Sequence, residues 1–210
     1  MNCAGRKRVY ALYFVLFICA PFYAATAKSA KEGGSMTTTS GATAEVSAPS
    51  AMVFQWKEHN KLSWDDFQGP VNAANAQSAA ATNCSMGFKT NMQNADQKPE
   101  ITVYNKFYIN KSWVRSDAKI STILVHEQGH FDLCELYTRE LKKRLDNFNY
   151  KTATNVKQEL YDIYVEVNNE YENRQAAYEH ETLHGTNLPV QKKWAKTIAM
   201  ELQATALVAY

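Results

Sequence analysis

ILVHEQGHFDLCEL, residues 123–136, sets two histidines and a glutamate into an otherwise apolar run. Burial favours Leu or Ile at such positions, and an unpaired imidazole or carboxylate among them costs free energy. A metal ion resolves the conflict. His126 and His130 are four residues apart, which on a helix stands one above the other on a single face, so both imidazoles can reach one ion. Glu127 lies beside them, where its carboxylate can touch a water on that ion without being a ligand. This is the H-E-x-x-H arrangement. In it zinc acidifies a water, and the glutamate accepts the proton and returns it to the leaving amine.

A catalytic zinc, one per chain, usually takes three protein ligands and a water. The extended metzincin pattern needs a histidine at position 136, which is Leu136. The rich stretch elsewhere is AAYEHETLHG, residues 176–185. If the two long helices run antiparallel and Tyr178 faces the core, Glu181 points partly inward and His180 away. His184 stands at the helix end beside Gly185, where the chain can turn it back. The geometry leaves Glu181 and His184 as rivals for the third ligand. Asp132 and Glu135 fall off the His126–His130 face. Tyr178 offers a phenol to a tetrahedral oxyanion, but aromatics at helical spacing usually pack. His59 has no partner in sequence and reads as structural or exposed.

Helix and strand periods organise the rest of the chain. Thr82, Cys84, Met86, Phe88 and Thr90 alternate at strand period, as do Ile101, Val103, Asn105, Phe107 and Ile109, and together they predict a hairpin. A helix from about Asp117 to Phe148 follows, with an apolar stripe through Ile123, Cys134, Tyr137, Leu141 and Leu145 that contains both histidines. A second, about Thr154 to Thr182, presents Leu160, Tyr164, Val167, Tyr171 and Tyr178. A third is capped by Asn187 with Pro189 in its first turn, and turns Val190, Trp194, Ile198 and Leu202 inward. The fold class expected is α+β: a β-rich antiparallel half, then a long active-site helix, an antiparallel second helix and a C-terminal helix.

The N-terminus reads as a targeting segment. Arg6, Lys7 and Arg8 precede the apolar run ALYFVLFICAPFYA, and Ala25–Ala27 offer small residues for cleavage. The run is short for a membrane span and is interrupted by Pro21. Residues 1–27 are therefore expected to be a signal peptide that meets the membrane only during export. Residues 28–51, small, polar and aperiodic, read as a flexible tether, and 52–210 as the folded domain. Loss of the leader's three positive charges takes the formal charge from +2 to −1. No basic excess remains to address a nucleic acid. Cys84 and Cys134 stay in the exported chain, where an oxidising compartment would let them pair, with intermolecular pairing or two free thiols as the alternatives.

The chain resembles the predicted secreted zinc proteases of Gram-negative bacteria, a group catalogued as a domain of unknown function. The resemblance rests on LSWDDFQGP (62–70), SWV (112–114), HEQGHFD (126–132) and ETLHGTNLPVQKKW (181–194), in that order, and covers most of residues 60–195. It implies a zincin-like fold, with His126, Glu127 and His130 in the site. Its T-x-H-G block, here Thr182 to Gly185, implies His184 rather than Glu181 as third ligand. Cys134 departs from the small residue more usual there and, with Cys84, would mark a bridge particular to this chain. LSWDDFQG reads as a structural turn anchored by Trp64 and Phe67.

The function expected is that of a secreted or periplasmic zinc metalloendopeptidase of the cell envelope, acting on peptide or protein substrates. The strand Ile101–Ile109 would serve as the edge to which a peptide pairs. The rival readings are a metal-stabilised binding or assembly module without turnover, and a cell-wall peptide amidase using the same residues.

Overall fold

The computed structural model describes residues 52–71, 78–91 and 98–206. The expected leader and the expected tether lie outside these residues. The architecture is α+β, with an antiparallel β-rich half followed by three helices.

The alternating segments form the expected hairpin. Strand β3 (Cys84–Asn91) pairs antiparallel with β4 (Glu100–Tyr108), from Cys84 opposite Phe107 to Asn91 opposite Glu100. Met86 and Val103 are buried toward the helices. On the opposite face the ring of Tyr104 lies over Gly87, where a Cβ would meet it at 2.9 Å. A short strand β1 (Val53–Phe54) adds to the other side of β4, giving the order β1–β4–β3. This corrects the expectation that Ile101–Ile109 forms an edge strand. Val53 and Phe54 cover its end at Tyr108 and Phe107, so β4 is the central strand and β3 an edge. Strands β2 (Ala80–Ala81) and β5 (Trp113–Val114) make a separate two-stranded ladder, which carries Thr82 against the first helix.

That helix, α1 (Ser121–Asp146), starts four residues later than its sequence pattern suggests, because Ser116–Ala118 turn as a 3₁₀ segment first. Helix α2 (Val156–Thr182) is capped by the Asn155 side chain, which accepts from Gln158 N. Helix α3 (Leu188–Ala204) begins after Asn187 with Pro189 in its first turn. Helix α1 is the centre of the fold. One flank meets a group of aromatic rings, with Phe107 stacked on Phe54 at 4.8 Å and Phe131 edge-on to Phe107 at 5.3 Å. Further along, Cys134, Leu141 and Leu145 pack with Met86 and Val103 of the sheet and Leu160 and Val167 of α2. Leu133 and Leu136 pack with Tyr178 and Ile198.

The buried polar groups of α1 are matched. Glu135 accepts from Asn105 Nδ2 at 2.5 Å and from Arg139 Nε at 2.7 Å, and Arg139 reaches on to the Leu202 carbonyl. One buried ion pair thus ties β4, α1 and the end of α3 together. Cys84 and Cys134 lie against each other as free thiols, not as a bridge. Among the described residues no helix is long and apolar enough to cross a membrane.

Candidate metal centre

The four-residue spacing on α1 sets the rings of His126 and His130 4.6 Å apart, with their Nε2 atoms 3.1 Å from each other. The third member of the group is Glu179 on α2. Its Oε2 lies 2.8 Å from His126 Nε2 and 3.2 Å from His130 Nε2. These three side chains are the one group of His, Cys, Asp or Glu among the described residues that could hold a metal ion. Two imidazole nitrogens and a carboxylate oxygen are donors of the kinds zinc takes.

His184 and Glu181 sit elsewhere. The His184 ring is 71 % exposed, and its Nδ1 lies 2.5 Å from Glu179 Oε1, behind the carboxylate rather than in the group. Glu181 accepts from Trp194 Nε1 at 2.8 Å and so faces α3. The turn explains both placements. Leu183, not Gly185, ends α2 in the left-handed region (φ 49°), and His184 (φ 56°) and Gly185 (φ 77°) continue it. The left-handed run lays Gly185 on the His126 ring, where a Cβ would stand 2.7 Å from His126 Cβ.

Glu127 is buried beside the two histidines on α1. Its Oε2 accepts from the Thr82 hydroxyl at 2.7 Å, and the same hydroxyl lies 3.2 Å from the Glu127 carbonyl. Among the described residues its other oxygen makes no hydrogen bond. Tyr178 is fully buried, with its ring stacked on His126 at 4.8 Å. Its hydroxyl donates to the His126 carbonyl at 3.0 Å and accepts from Gln191 Nε2 at 2.7 Å. Tyr178 thus packs in the core as its helical spacing favours, and its phenol holds the His126 ring and backbone rather than offering a free hydroxyl to an oxyanion. His59 pairs with Asp66 near the surface.

The electrostatics favour a cation among the three donors. Burial alone would lower the pKa of His130, but its hydrogen bond to the Glu179 carboxylate and the charges of Glu127 and Glu179 outweigh it and push the imidazole up to about 9. Burial would raise the Glu179 carboxyl, yet His126 and His130 hold it far below the usual carboxylate range. Beside Glu179, His130 therefore holds its proton well above the ordinary imidazole range.

Two residues not foreseen from the sequence complete the surroundings. Gln175 and Gln191 approach the Nδ1 atoms of His130 and His126 at 2.6 and 3.1 Å. The signal for Gln175, Glu179 and Thr182 was present: they lie on the face of α2 that carries Tyr171 and Tyr178, polar groups on an apolar face like those of α1.

An α+β domain with a His-His-Glu group across two antiparallel helices is what fold and geometry define. The family described as "Bacterial protein of unknown function (DUF922)" matches residues 63–185, more than half of the chain, and the chain belongs to that family. No curated protein and no solved structure matches it.

Proposed function

We propose that this chain is a zinc-dependent peptidase of zincin-like design, with His126, His130 and Glu179 as metal ligands and Glu127 as general base. The observation that carries the reading is the convergence of Glu179 on the two α1 histidines beside a buried, hydrogen-bonded Glu127. When bound, zinc supplies a Lewis acid that acidifies water and polarises a peptide carbonyl. The chain's residues do the rest. Thr82 fixes one oxygen of Glu127, which leaves the other to take a proton from the attacking water and pass it to the leaving nitrogen. Tyr178 and Gly185 fix the His126 ring, and His184 steadies Glu179 from behind. The basic start and apolar run of residues 1–27 support export to the cell envelope, with peptides as the substrate class.

The test is zinc content and peptide hydrolysis of the full chain beside Glu127→Gln. One zinc per chain in both proteins, with hydrolysis in the wild type alone, supports the reading. Zinc without hydrolysis of peptides or muropeptides by the wild type would leave a metal-stabilised module, and hydrolysis of muropeptides alone would point to a cell-wall amidase.

A further inference from the structure

We infer that Gln175 and Gln191 are positioning residues that fix which ring nitrogen of each histidine faces the metal, each glutamine taking its orientation from the backbone carbonyl of the histidine it serves. The inference rests on the metal-site reading above and follows from hydrogen-bond direction.

A backbone carbonyl can only accept. The Gln175 amide atom 3.0 Å from the His130 carbonyl must therefore be the nitrogen, which also donates to Tyr171 Oη at 2.9 Å. Its oxygen is then the atom 2.6 Å from His130 Nδ1. An amide oxygen cannot donate, so Nδ1 carries a hydrogen and Nε2 is the nitrogen left to face a metal.

The second chain has one more link and ends the same way. The Tyr178 hydroxyl lies 3.0 Å from the His126 carbonyl and has a single hydrogen, which must go there. Toward Gln191 it can only accept, so the Gln191 atom at 2.7 Å is the amide nitrogen. Gln191 Oε1 then faces His126 Nδ1 at 3.1 Å and accepts its hydrogen. Thr182 Oγ1, at 3.5 Å from the same Nδ1, already donates to the Tyr178 carbonyl and adds only a lone pair there. Both imidazoles thus keep Nδ1 hydrogen-bonded to a glutamine and turn Nε2, the nitrogen left for a metal, toward Glu179 Oε2. Three lone-pair donors within 3.2 Å of one another repel unless a cation lies among them.

The partners are carboxamides, not carboxylates, and this has a chemical consequence. A carboxylate behind a metal-bound histidine raises the ligand's basicity. A neutral amide fixes the tautomer without adding negative charge, which leaves Glu179 as the one anionic ligand.

The test is performed on the full chain with Zn²⁺ alone as probe. Imidazole ¹⁵N shifts of the loaded wild type should show Nδ1–H and metal-bound Nε2 on both His126 and His130. By chelator competition, Gln175→Leu and Gln191→Leu should each raise the zinc Kd about 10- to 100-fold, and Gln175→Glu, which keeps an acceptor against Nδ1–H, should recover most of that loss. Zinc bound through Nδ1 of either ring overturns the inference without any variant having to fold. So do folded Leu variants that bind zinc as the wild type does, and in both cases the metal site itself stands. Failure of the wild type to take up zinc overturns site and inference together.

Discussion

Thr82 and Glu127 are joined by a hydrogen bond of 2.7 Å between hydroxyl and carboxylate, at the point where the β2–β3 connection crosses helix α1. The bond links the β half of the domain to the carboxylate proposed as general base. A hydrogen bond to a charged group contributes about 1.5–3 kcal/mol, and here it fixes a rotamer and not a ligand. Thr82→Val should therefore lower kcat about tenfold or more while zinc stoichiometry stays at the wild-type value, whereas Thr82→Ser should recover most of the rate. Loss of zinc along with activity in Thr82→Val would show that the threonine holds the fold of the site.

Glu179, and not His184 or Glu181, closes the group of donors, so the three alanine variants should separate. Glu179→Ala removes an atom that lies 2.8 Å and 3.2 Å from the two Nε2 atoms and should abolish stoichiometric zinc binding. His184→Ala removes a group that touches only the far oxygen of that carboxylate, and should weaken zinc by about tenfold. Glu181→Ala breaks a bond to Trp194 and should leave zinc affinity unchanged. Metal analysis after gel filtration decides among them, and retention of zinc by Glu179→Ala would return the third ligand to His184.

The reasons for these differences from sequence show where its information ends. Periodicity located the hairpin and the three helices because the apolar stripes are long and the strand alternation is regular. The same periodicity placed His126 and His130 on one face, since both lie on a single helix. Glu179 depends on the crossing of two helices and on the rotation of α2, neither of which a single stripe specifies. Tyr178 faces the core as its spacing predicts, yet the neighbouring Glu179 turns toward α1. His184 was displaced from the group by a left-handed turn at Leu183, a residue that ordinarily avoids that conformation. The central position of β4 was hidden because its second neighbour, β1, contributes only Val53 and Phe54.

The proton that His130 binds in the metal-free protein must leave when zinc enters. Its pKa there is about 9, so the apparent zinc affinity should climb about tenfold per pH unit from 7 toward 9 and flatten above. The folded-state pKa is raised over the unfolded value of about 6.5. The associated stability of the metal-free protein is therefore fully present below that value and is lost as pH rises through about 9. The loss is on the order of 3 kcal/mol, and it is shared with Glu179, so it counts once. Thermal melts of the chelated protein at pH 6 and pH 10 should show the decline. A metal-free protein as stable at pH 10 as at pH 6 would contradict the His130–Glu179 pairing.

Gly129, the second variable position of HEQGH, is held to glycine by Tyr178. A Cβ there would stand 2.2 Å from the tyrosine hydroxyl and 2.6 Å from Cζ, well inside contact. Alanine would favour the helix by about 1 kcal/mol, but overpacking a filled core costs about 1–3 kcal/mol or more. The ring cannot yield easily, being stacked on His126 and set edge-on to Trp194 at 5.3 Å. Overpacking therefore wins, and Gly129→Ala should destabilise the fold and weaken zinc, since a displaced hydroxyl releases both the His126 carbonyl and Gln191. The sign should reverse once the obstacle is removed: in a Tyr178→Leu background, Gly129→Ala should be neutral or stabilising by up to about 1 kcal/mol. Denaturant melts of the four proteins in this cycle measure the coupling, and additive effects would show that Gly129 is constrained by something other than the tyrosine.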